Sequence, residues 1–256
     1  MRTTITIVCF IILIVSCKKD KTKEDVIEPT GKIVLSFMHH VNGQPLLFDT
    51  LTYVNEAGNV YQINDLMYFI SDVTLYKSDG TIKQINEWND IYYIDAKMPA
   101  THTWSMYDKI PVGVYDSITF VFGITKEKNK SFLFMNAPEV NMAWPDVLGG
   151  GYHYMMINGK WIDSTTTLQN FNFHLGIGQI YAGNSTNVDS ITGYVHNNFT
   201  VKLANSSFLI TQDETKHMQL IMNIDNWFKS PHTFNFNTWG GSIMQNQAAM
   251  QTAKEN

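Results

Sequence analysis

Histidine and methionine are the residue types in this sequence that are best suited to chemistry. The chain of 256 residues contains 8 His and 13 Met but only 2 Cys. Imidazole nitrogen and thioether sulfur are ligands for a soft or borderline ion such as Cu(I) or Cu(II). The function therefore depends on which of these side chains the fold brings together.

Both cysteines lie in an N-terminal segment that is typical of a bacterial lipoprotein. An apolar run over residues 5–15 is too short to span a bilayer and has the length of a signal sequence. The run leads into Ile14 to Cys17, whose sequence Ile-Val-Ser-Cys resembles a lipobox. We therefore predict a lipoprotein signal peptide over residues 1–16 and attachment of lipid to Cys17.

The cysteine count excludes several kinds of site from the folded domain. Cys9 falls in the predicted signal peptide and Cys17 would carry lipid, so the domain itself contains no thiol. Disulfides, zinc–thiolate sites, cysteine nucleophiles and blue-copper centres all need cysteine. Imidazole and thioether are the ligands left for a soft or borderline ion.

Composition limits the class of protein further. Charged residues make up 16% of the chain and hydrophobic residues 44%, with a net charge of −5. This composition excludes a disordered chain, and the lack of a basic stripe argues against nucleic-acid binding. We predict a flexible tether over residues 17–31 and one folded domain over residues 32–256. The lipid would hold this domain at a bacterial membrane, facing the periplasm or the cell surface.

The hydrophobic pattern of the domain has a period of two. Apolar residues alternate with other residues over 33–41, and Asn42-Gly43 supplies a turn. The other predicted strands cover residues 51–54, 60–63, 66–76, 82–85, 91–94, 117–123, 152–158, 168–175, 193–203 and 218–225. Short strands separated by Gly, Asn and Asp turns predict an all-β domain, an antiparallel β-sandwich. Helical spacing over residues 242–254 predicts a short C-terminal helix.

Three histidines occupy positions from which they could bind a metal ion. His39 lies on the apolar face of the first predicted strand, and His174 points away from the aromatic face formed by its neighbours. His153 follows three glycines that allow a tight turn or a close approach. Spacing alone leaves each of them open between a metal ligand and a structural histidine. The histidines predicted to lie at the surface are His102, His196, His217 and His232.

Catalytic motifs do not stand out in the sequence. It contains no Gly-x-Ser-x-Gly segment, phosphate-binding loop, dinucleotide fingerprint or His-Glu-x-x-His motif. Asp and Glu are plentiful, but their spacing does not show that any two converge as an acid–base pair. We therefore expect a protein that is not an enzyme.

Several segments appear in an order that resembles one protein family. They are 37–41, 66–75 with Asp79-Gly80, 110–115 with 120–123, 142–145 with 151–155, 173–176, and a closing helix rich in Met and Ala. This order resembles the MbnP-like family of copper-binding proteins, named after a methanobactin-associated member, and in particular its branch of Bacteroidetes lipoproteins. The resemblance covers about residues 32–256.

The resemblance implies an all-β domain that holds copper through histidines. His39 matches the family's first-strand histidine, His174 that of its Phe-x-Phe-His-Leu-Gly segment, and His153 matches in the glycine-rich branch. We expect His39 and His174 to bind one copper ion, with a third ligand from His153, Met142, a modified tryptophan or water. Because binding needs neutral imidazole, affinity is expected to fall as the pH drops through about 6.5.

The resemblance also implies a modified tryptophan and an enzyme that makes it. In some members, a partner related to dihaem cytochrome c peroxidases oxidises one tryptophan to kynurenine. Trp144 is the candidate by its motif. Trp104 is a second candidate, because its two-residue spacing from His102 would place both side chains on one strand face. The implied role is copper uptake, storage or delivery.

The main alternative is a surface module that binds glycans or has a structural role. Trp and Tyr rings stack on the apolar faces of sugars, and a lipid-anchored sandwich rich in Asn suits such contacts. Exposed coplanar rings would favour this alternative, and the candidate rings are Trp88, Trp104, Trp161 and Trp239. Clustering of His39, His153 and His174 would favour the metal site.

Overall fold

The computed structural model describes residues 28–183 and 185–256. The predicted signal peptide over 1–16, the lipidation site Cys17 and most of the predicted tether lie outside the described residues. None of the helices among the described residues is long and apolar enough to cross a membrane.

Strands are the commonest regular element among the described residues, which contain sixteen strands and two α-helices. The sixteen strands are β1 (Thr30–Val41), β2 (Gln44–Pro45), β3 (Tyr53–Val54), β4 (Val60–Lys77), β5 (Ile82–Gln84), β6 (Ile91–Asp95), β7 (Thr103–Ser105), β8 (Ile110–Pro111), β9 (Gly113–Phe122), β10 (Met155–Ile162), β11 (Leu168–Leu175), β12 (Ile177–Tyr181), β13 (Ile191–His196), β14 (Phe199–Lys202), β15 (Phe208–Ile210) and β16 (Thr215–Asn223). The two α-helices are α1 (Phe236–Trp239) and α2 (Gln247–Glu255).

Two of the three sheets among the described residues form a sandwich, and the third is the β12–β13 pair. The predicted all-β fold with antiparallel pairing and a short C-terminal helix is thus confirmed. The two sandwich sheets are called the smaller and the larger sheet. The smaller sheet is built on β1, which pairs with β16, β2, β7 and β8. In the larger sheet, β4 lies between β10 and β9, with β11 and β14 beyond them. The β1–β16 pair is parallel, whereas the pairs of β4 with β9 and β10 are antiparallel.

An aromatic core fills the space beside β4 and β11. Tyr61 and Phe171 meet Phe228 and Phe236 at ring-centroid distances of 4.8 to 6.0 Å. All four side chains are fully buried. Truncation of one such ring to alanine typically costs about 3–5 kcal/mol. The region that follows β16 is therefore an integral part of the domain.

The pleat of the larger sheet sorts its side chains onto two faces. Tyr68 of β4 pairs with Met155 of β10, which pairs with Leu175 of β11. These residues point toward the smaller sheet, because Tyr68 contacts His39 of β1. The next residue on each strand points the opposite way. Met67, Met156 and His174 therefore share the outer face.

The segment between β9 and β10 covers this outer face. Phe134 stacks on Phe69 of β4 at 5.3 Å, and Tyr152 meets both rings edge to face. The Tyr152 hydroxyl donates to the carbonyl of Phe134 and accepts from its amide. These contacts bring His153, the next residue, over the sheet.

Several predicted elements have different limits in the structure, and the predicted strand 193–203 is two strands, β13 and β14. Residues 60–63 and 66–76 belong to one strand, β4, rather than two. The C-terminal helix begins at Gln247 instead of residue 242, because Gln245 has a positive φ of 63° and Asn246 caps the helix. The Asn246 side chain accepts the amide of Ala249 at 3.0 Å.

Candidate metal centre

His153 and His174 face each other on the outer face of the larger sheet. Their ring centroids are 5.1 Å apart, and their planes are almost perpendicular at 88°. Two imidazoles that bind one ion at metal–nitrogen distances of about 2.0 Å have ring centres about 5 to 6 Å apart. The spacing of these two rings therefore fits a shared ion.

Asn158 orients the ring of His174. Nε2 of His174 donates to Oδ1 of Asn158 at 2.7 Å. Asn158 lies on β10 two residues beyond Met156, the cross-strand partner of His174. Nδ1 of His174 is buried and has no hydrogen-bond partner among the described residues. Since Nε2 carries the proton in the neutral ring, the Nδ1 lone pair is free to bind a ligand.

The backbone at Met142 orients the ring of His153 in the same way. The Met142 carbonyl accepts the amide of His153 at 2.7 Å and its ring Nδ1 at 2.9 Å. A carbonyl only accepts, so Nδ1 carries the proton. Nε2 of His153 is buried and also lacks a partner within the described part of the chain. Met142 thus contacts His153 through its carbonyl oxygen.

The glycines before His153 allow the backbone to make this approach. Gly151 has a φ of +77°, and a Cβ atom there would collide with the Asn129 side chain. That side chain accepts the amide of Tyr152 at 2.8 Å and donates to its carbonyl at 3.3 Å. Tyr152 is thereby held in place directly before His153.

Trp144 forms one wall of the centre. Its ring centroid lies 4.6 Å from that of His153, and its Nε1 donates to the carbonyl of Leu148 at 3.1 Å. The indole packs directly over Gly176, where a Cβ atom would collide with the ring. The glycine that follows His174-Leu175 is thus required by the position of Trp144.

Burial keeps both imidazoles neutral. It lowers the pKa of His153 to about 4, although the hydrogen bonds to the backbone oppose this effect. Burial, together with the nearby His153, lowers the pKa of His174 to about 3. Both rings are therefore in the form that binds metal ions across the physiological pH range.

The structure does not bring His39 to His174. His39 lies between the sheets, with Nε2 3.1 Å from the Tyr68 hydroxyl and its ring 5.9 Å from that of His102. His174 lies on the opposite face of the larger sheet. Burial lowers the pKa of His39 to about 4. The structure thus groups His174 with His153 and Trp144, and leaves His39 elsewhere.

The other residues singled out from the sequence occupy varied positions. Trp104 is buried and stacks on Tyr92 with ring centroids 4.9 Å apart, outside the centre. His102 is half-buried and donates from Nε2 to the carbonyl of Asp95 at 3.0 Å. His217 and His232 are exposed, whereas His196 is half-buried.

The centre consists of two histidines rather than a larger set of ligands. Across residues 28–183 and 185–256, no three His, Cys, Asp or Glu side chains group closely enough to hold a metal ion together. Sequence reasoning did not single out Asn158, because an amide two residues along a strand has no distinctive pattern. Its role depends on the register between β10 and β11.

The fold and the paired histidines define a β-sandwich protein with a small, buried donor site. The family model described as MbnP matches residues 30–246, and the chain belongs to this family. The resemblance inferred from the sequence is thereby confirmed. A solved structure, MbnP from Methylosinus trichosporium, is 16% identical to this chain with a TM-score of 0.49, and the match covers 80% of each chain. No curated protein matches the chain.

Proposed function

We propose that this protein binds one copper ion between Nε2 of His153 and Nδ1 of His174. The observation that carries the proposal is that these two nitrogens are buried and unpaired within the described residues. The other nitrogen of each ring donates to an oxygen that fixes its orientation. Histidines that bind metal ions generally donate their second N–H in this way.

The unpaired nitrogens support a ligand over a purely structural role. A buried polar atom without a partner costs about 1–3 kcal/mol. The centre contains two such atoms on adjacent rings, and a bound ion would satisfy both. The imidazole nitrogens suit copper, and membership of the MbnP family supports this metal over others.

The donor set favours Cu(I) over a divalent ion. Both proposed ligands are neutral, and Trp144 makes one wall apolar. The penalty for transferring an ion from water into such a place rises steeply with its charge. Structural zinc sites supply four ligands, whereas this centre supplies two histidines. A monovalent soft ion therefore fits these residues better.

The proposed role is copper uptake, storage or delivery by a binding protein that is not an enzyme. The lipobox-like segment before Cys17 supports anchoring to a bacterial membrane, with the domain in the periplasm or at the cell surface. Trp144 is the residue proposed for oxidation to kynurenine by a dihaem partner, because its ring adjoins His153. Intact mass of the protein from its native host tests this modification.

Copper titration of matched variants tests the site. The full chain, purified in detergent, is titrated with Cu(I) under anaerobic conditions against a chromogenic chelator. His153→Ala and His174→Ala are expected to abolish the single tight site. His39→Ala is the matched control, because His39 is also a buried histidine but lies between the sheets. Tight binding that survives in both site variants, or that is lost in His39→Ala alone, contradicts the proposal.

A further inference from the structure

A pair of exposed aromatic rings lies at the surface, outside the histidine centre. Trp88 is 91% exposed, and Tyr107 is 66% exposed. Their ring centroids are 5.8 Å apart, with an angle of 33° between the planes. The two rings are thus exposed neighbours that are tilted rather than coplanar, and neither the fold nor the proposed copper site assigns them a role. We call this pair the aromatic platform.

Trp88 combines two features that are unfavourable in the protein alone. Its backbone has a φ of +68°, in the left-handed region that bulky L-residues rarely adopt. Its indole, the largest apolar side chain available, is left in water. Strained backbone conformations persist where the surrounding structure enforces them, and they cluster at binding sites.

One buried carboxylate holds both ring-bearing segments together. Asp108 follows Tyr107 directly and is fully buried. Its Oδ1 accepts from Nζ of Lys83 at 2.5 Å and from the amide of Asn86 at 3.3 Å. Its Oδ2 accepts the amide of Glu87 at 3.0 Å. The loop before Trp88 is thereby tied to the segment of Tyr107.

This connection prepares the platform for a ligand. The charge-assisted hydrogen bonds at Asp108 hold the loop without any contact from a partner. A loop that is already ordered loses little conformational entropy on binding, so stacking contributes more to the affinity. A largely exposed ring on such an anchored loop is therefore suited to stack on a flat ligand.

The surroundings of the platform favour a sugar over a protein partner. Exposed polar side chains flank the two rings in sequence, namely Asn86, Glu87, Asn89 and Lys109. A stable protein interface needs a larger apolar centre than two rings. A pyranose ring needs only one apolar surface for its C–H face and polar groups for its hydroxyls.

We propose that Trp88 and Tyr107 form a stacking platform for the pyranose rings of a glycan. The exposed amides and carboxylate beside the rings would bind the sugar hydroxyls. The proposal does not depend on copper binding, because the platform shares no residue with the histidine centre. Copper-free and copper-loaded protein should therefore bind the same glycan equally well.

Affinity electrophoresis of the full chain in detergent tests the proposal. The gels contain hydroxyethylcellulose, glucomannan, xylan or soluble starch as probes. At least one of these polysaccharides is expected to retard the protein, and Trp88→Ala and Tyr107→Ala should each weaken this binding by about tenfold or more. Phe132→Ala is the matched control, because Phe132 is also exposed, at 77%, and has a positive φ of 65°.

The outcomes separate a binding role from a structural one. The unfolding midpoint of Trp88→Ala should be equal to or higher than that of the natural protein, since Trp88 contributes little burial. Loss of retardation with that midpoint preserved, together with unchanged retardation of Phe132→Ala, supports the proposal. The proposal is overturned when none of the four polysaccharides retards the natural protein. It is also overturned when Trp88→Ala is retarded as strongly as the natural protein.

Discussion

The Oδ1 atom of Asn158 lies 2.7 Å from Nε2 of His174 and determines which nitrogen of that ring stays free. The amide oxygen can only accept, so Nε2 is protonated and Nδ1 keeps its lone pair. Copper affinity should therefore depend on a residue that does not touch the ion.

The variant Asn158→Leu tests this dependence. Loss of a partner that orients a metal-binding histidine typically lowers affinity by about 10–100-fold. We expect a decrease of this size in Cu(I) affinity, measured by competition with a chelator. Asn172→Leu is the control, because Asn172 is the cross-strand neighbour of Asn158 on the same sheet. Equal losses in the two variants would contradict the orienting role of Asn158.

A second prediction concerns Gly176, which follows His174-Leu175. In Gly176→Ala, the new Cβ collides with the six-membered ring of Trp144, which has no room to move because it is buried. We expect a loss of about 1–3 kcal/mol in the free energy of unfolding, measured with urea. Gly193→Ala is the comparison, because its Cβ would meet Ile180 at an ordinary 3.5 Å. A Gly176 variant as stable as the Gly193 variant would show that Trp144 is not packed there.

The third prediction is the pH dependence of the copper-free protein. Burial lowers the pKa of His39 and His153 to about 4 and that of His174 to about 3, against 6.5 for exposed imidazole. Between pH 6.5 and about 4, the unfolded chain binds protons that the native protein does not. Stability is therefore full above pH 6.5 and falls as the pH drops toward 4, by at most about 1.4 kcal/mol per pH unit for each histidine.

Chemical unfolding at several pH values measures this loss. The triple variant with His39, His153 and His174 replaced by Gln should lose much less stability over the same interval. Copper binding should also persist below pH 6.5, whereas histidines with an unperturbed pKa would lose affinity for copper at that pH. An identical pH dependence in the natural and triple-variant proteins would show that these rings titrate like exposed histidine.

The fourth prediction follows from the left-handed backbone of Trp88. Glycine adopts a positive φ without penalty, so Trp88→Gly should stabilise the protein by about 1 kcal/mol or more. Val114→Gly is the control, because Val114 is exposed within β9 and glycine in a strand destabilises by about 0.5–1 kcal/mol. Thermal unfolding distinguishes these opposite effects, and a lower midpoint for Trp88→Gly would argue against strain at this position.

Local patterns in the sequence predicted much of the fold. The alternation around His174 correctly places Phe171, Phe173 and Leu175 in the core and His174 on the other face. The alternation around His39 likewise predicts an inward side chain, and His39 is buried. The period of two is a property of each strand and needs no knowledge of its partners.

The composition of the candidate site depends on contacts that no local pattern contains. Alternation places His39 on the apolar face of its strand and His174 on the face opposite the aromatic residues of its own strand. It does not show that the larger sheet lies between the two histidines. His153 reaches His174 because the segment between β9 and β10 folds over the outer face. The glycines at 149–151 were the local signal for this approach. His102 was predicted at the surface, yet it is half-buried because it packs against His39.

Copper binding between His153 and His174 can be tested by diffraction at the copper absorption edge from crystals of the copper-loaded full chain. We expect one strong anomalous peak about 2.0 Å from both Nε2 of His153 and Nδ1 of His174. A strong peak beside His39 and His102, or a copper ion that contacts neither His153 nor His174, would contradict the proposed site.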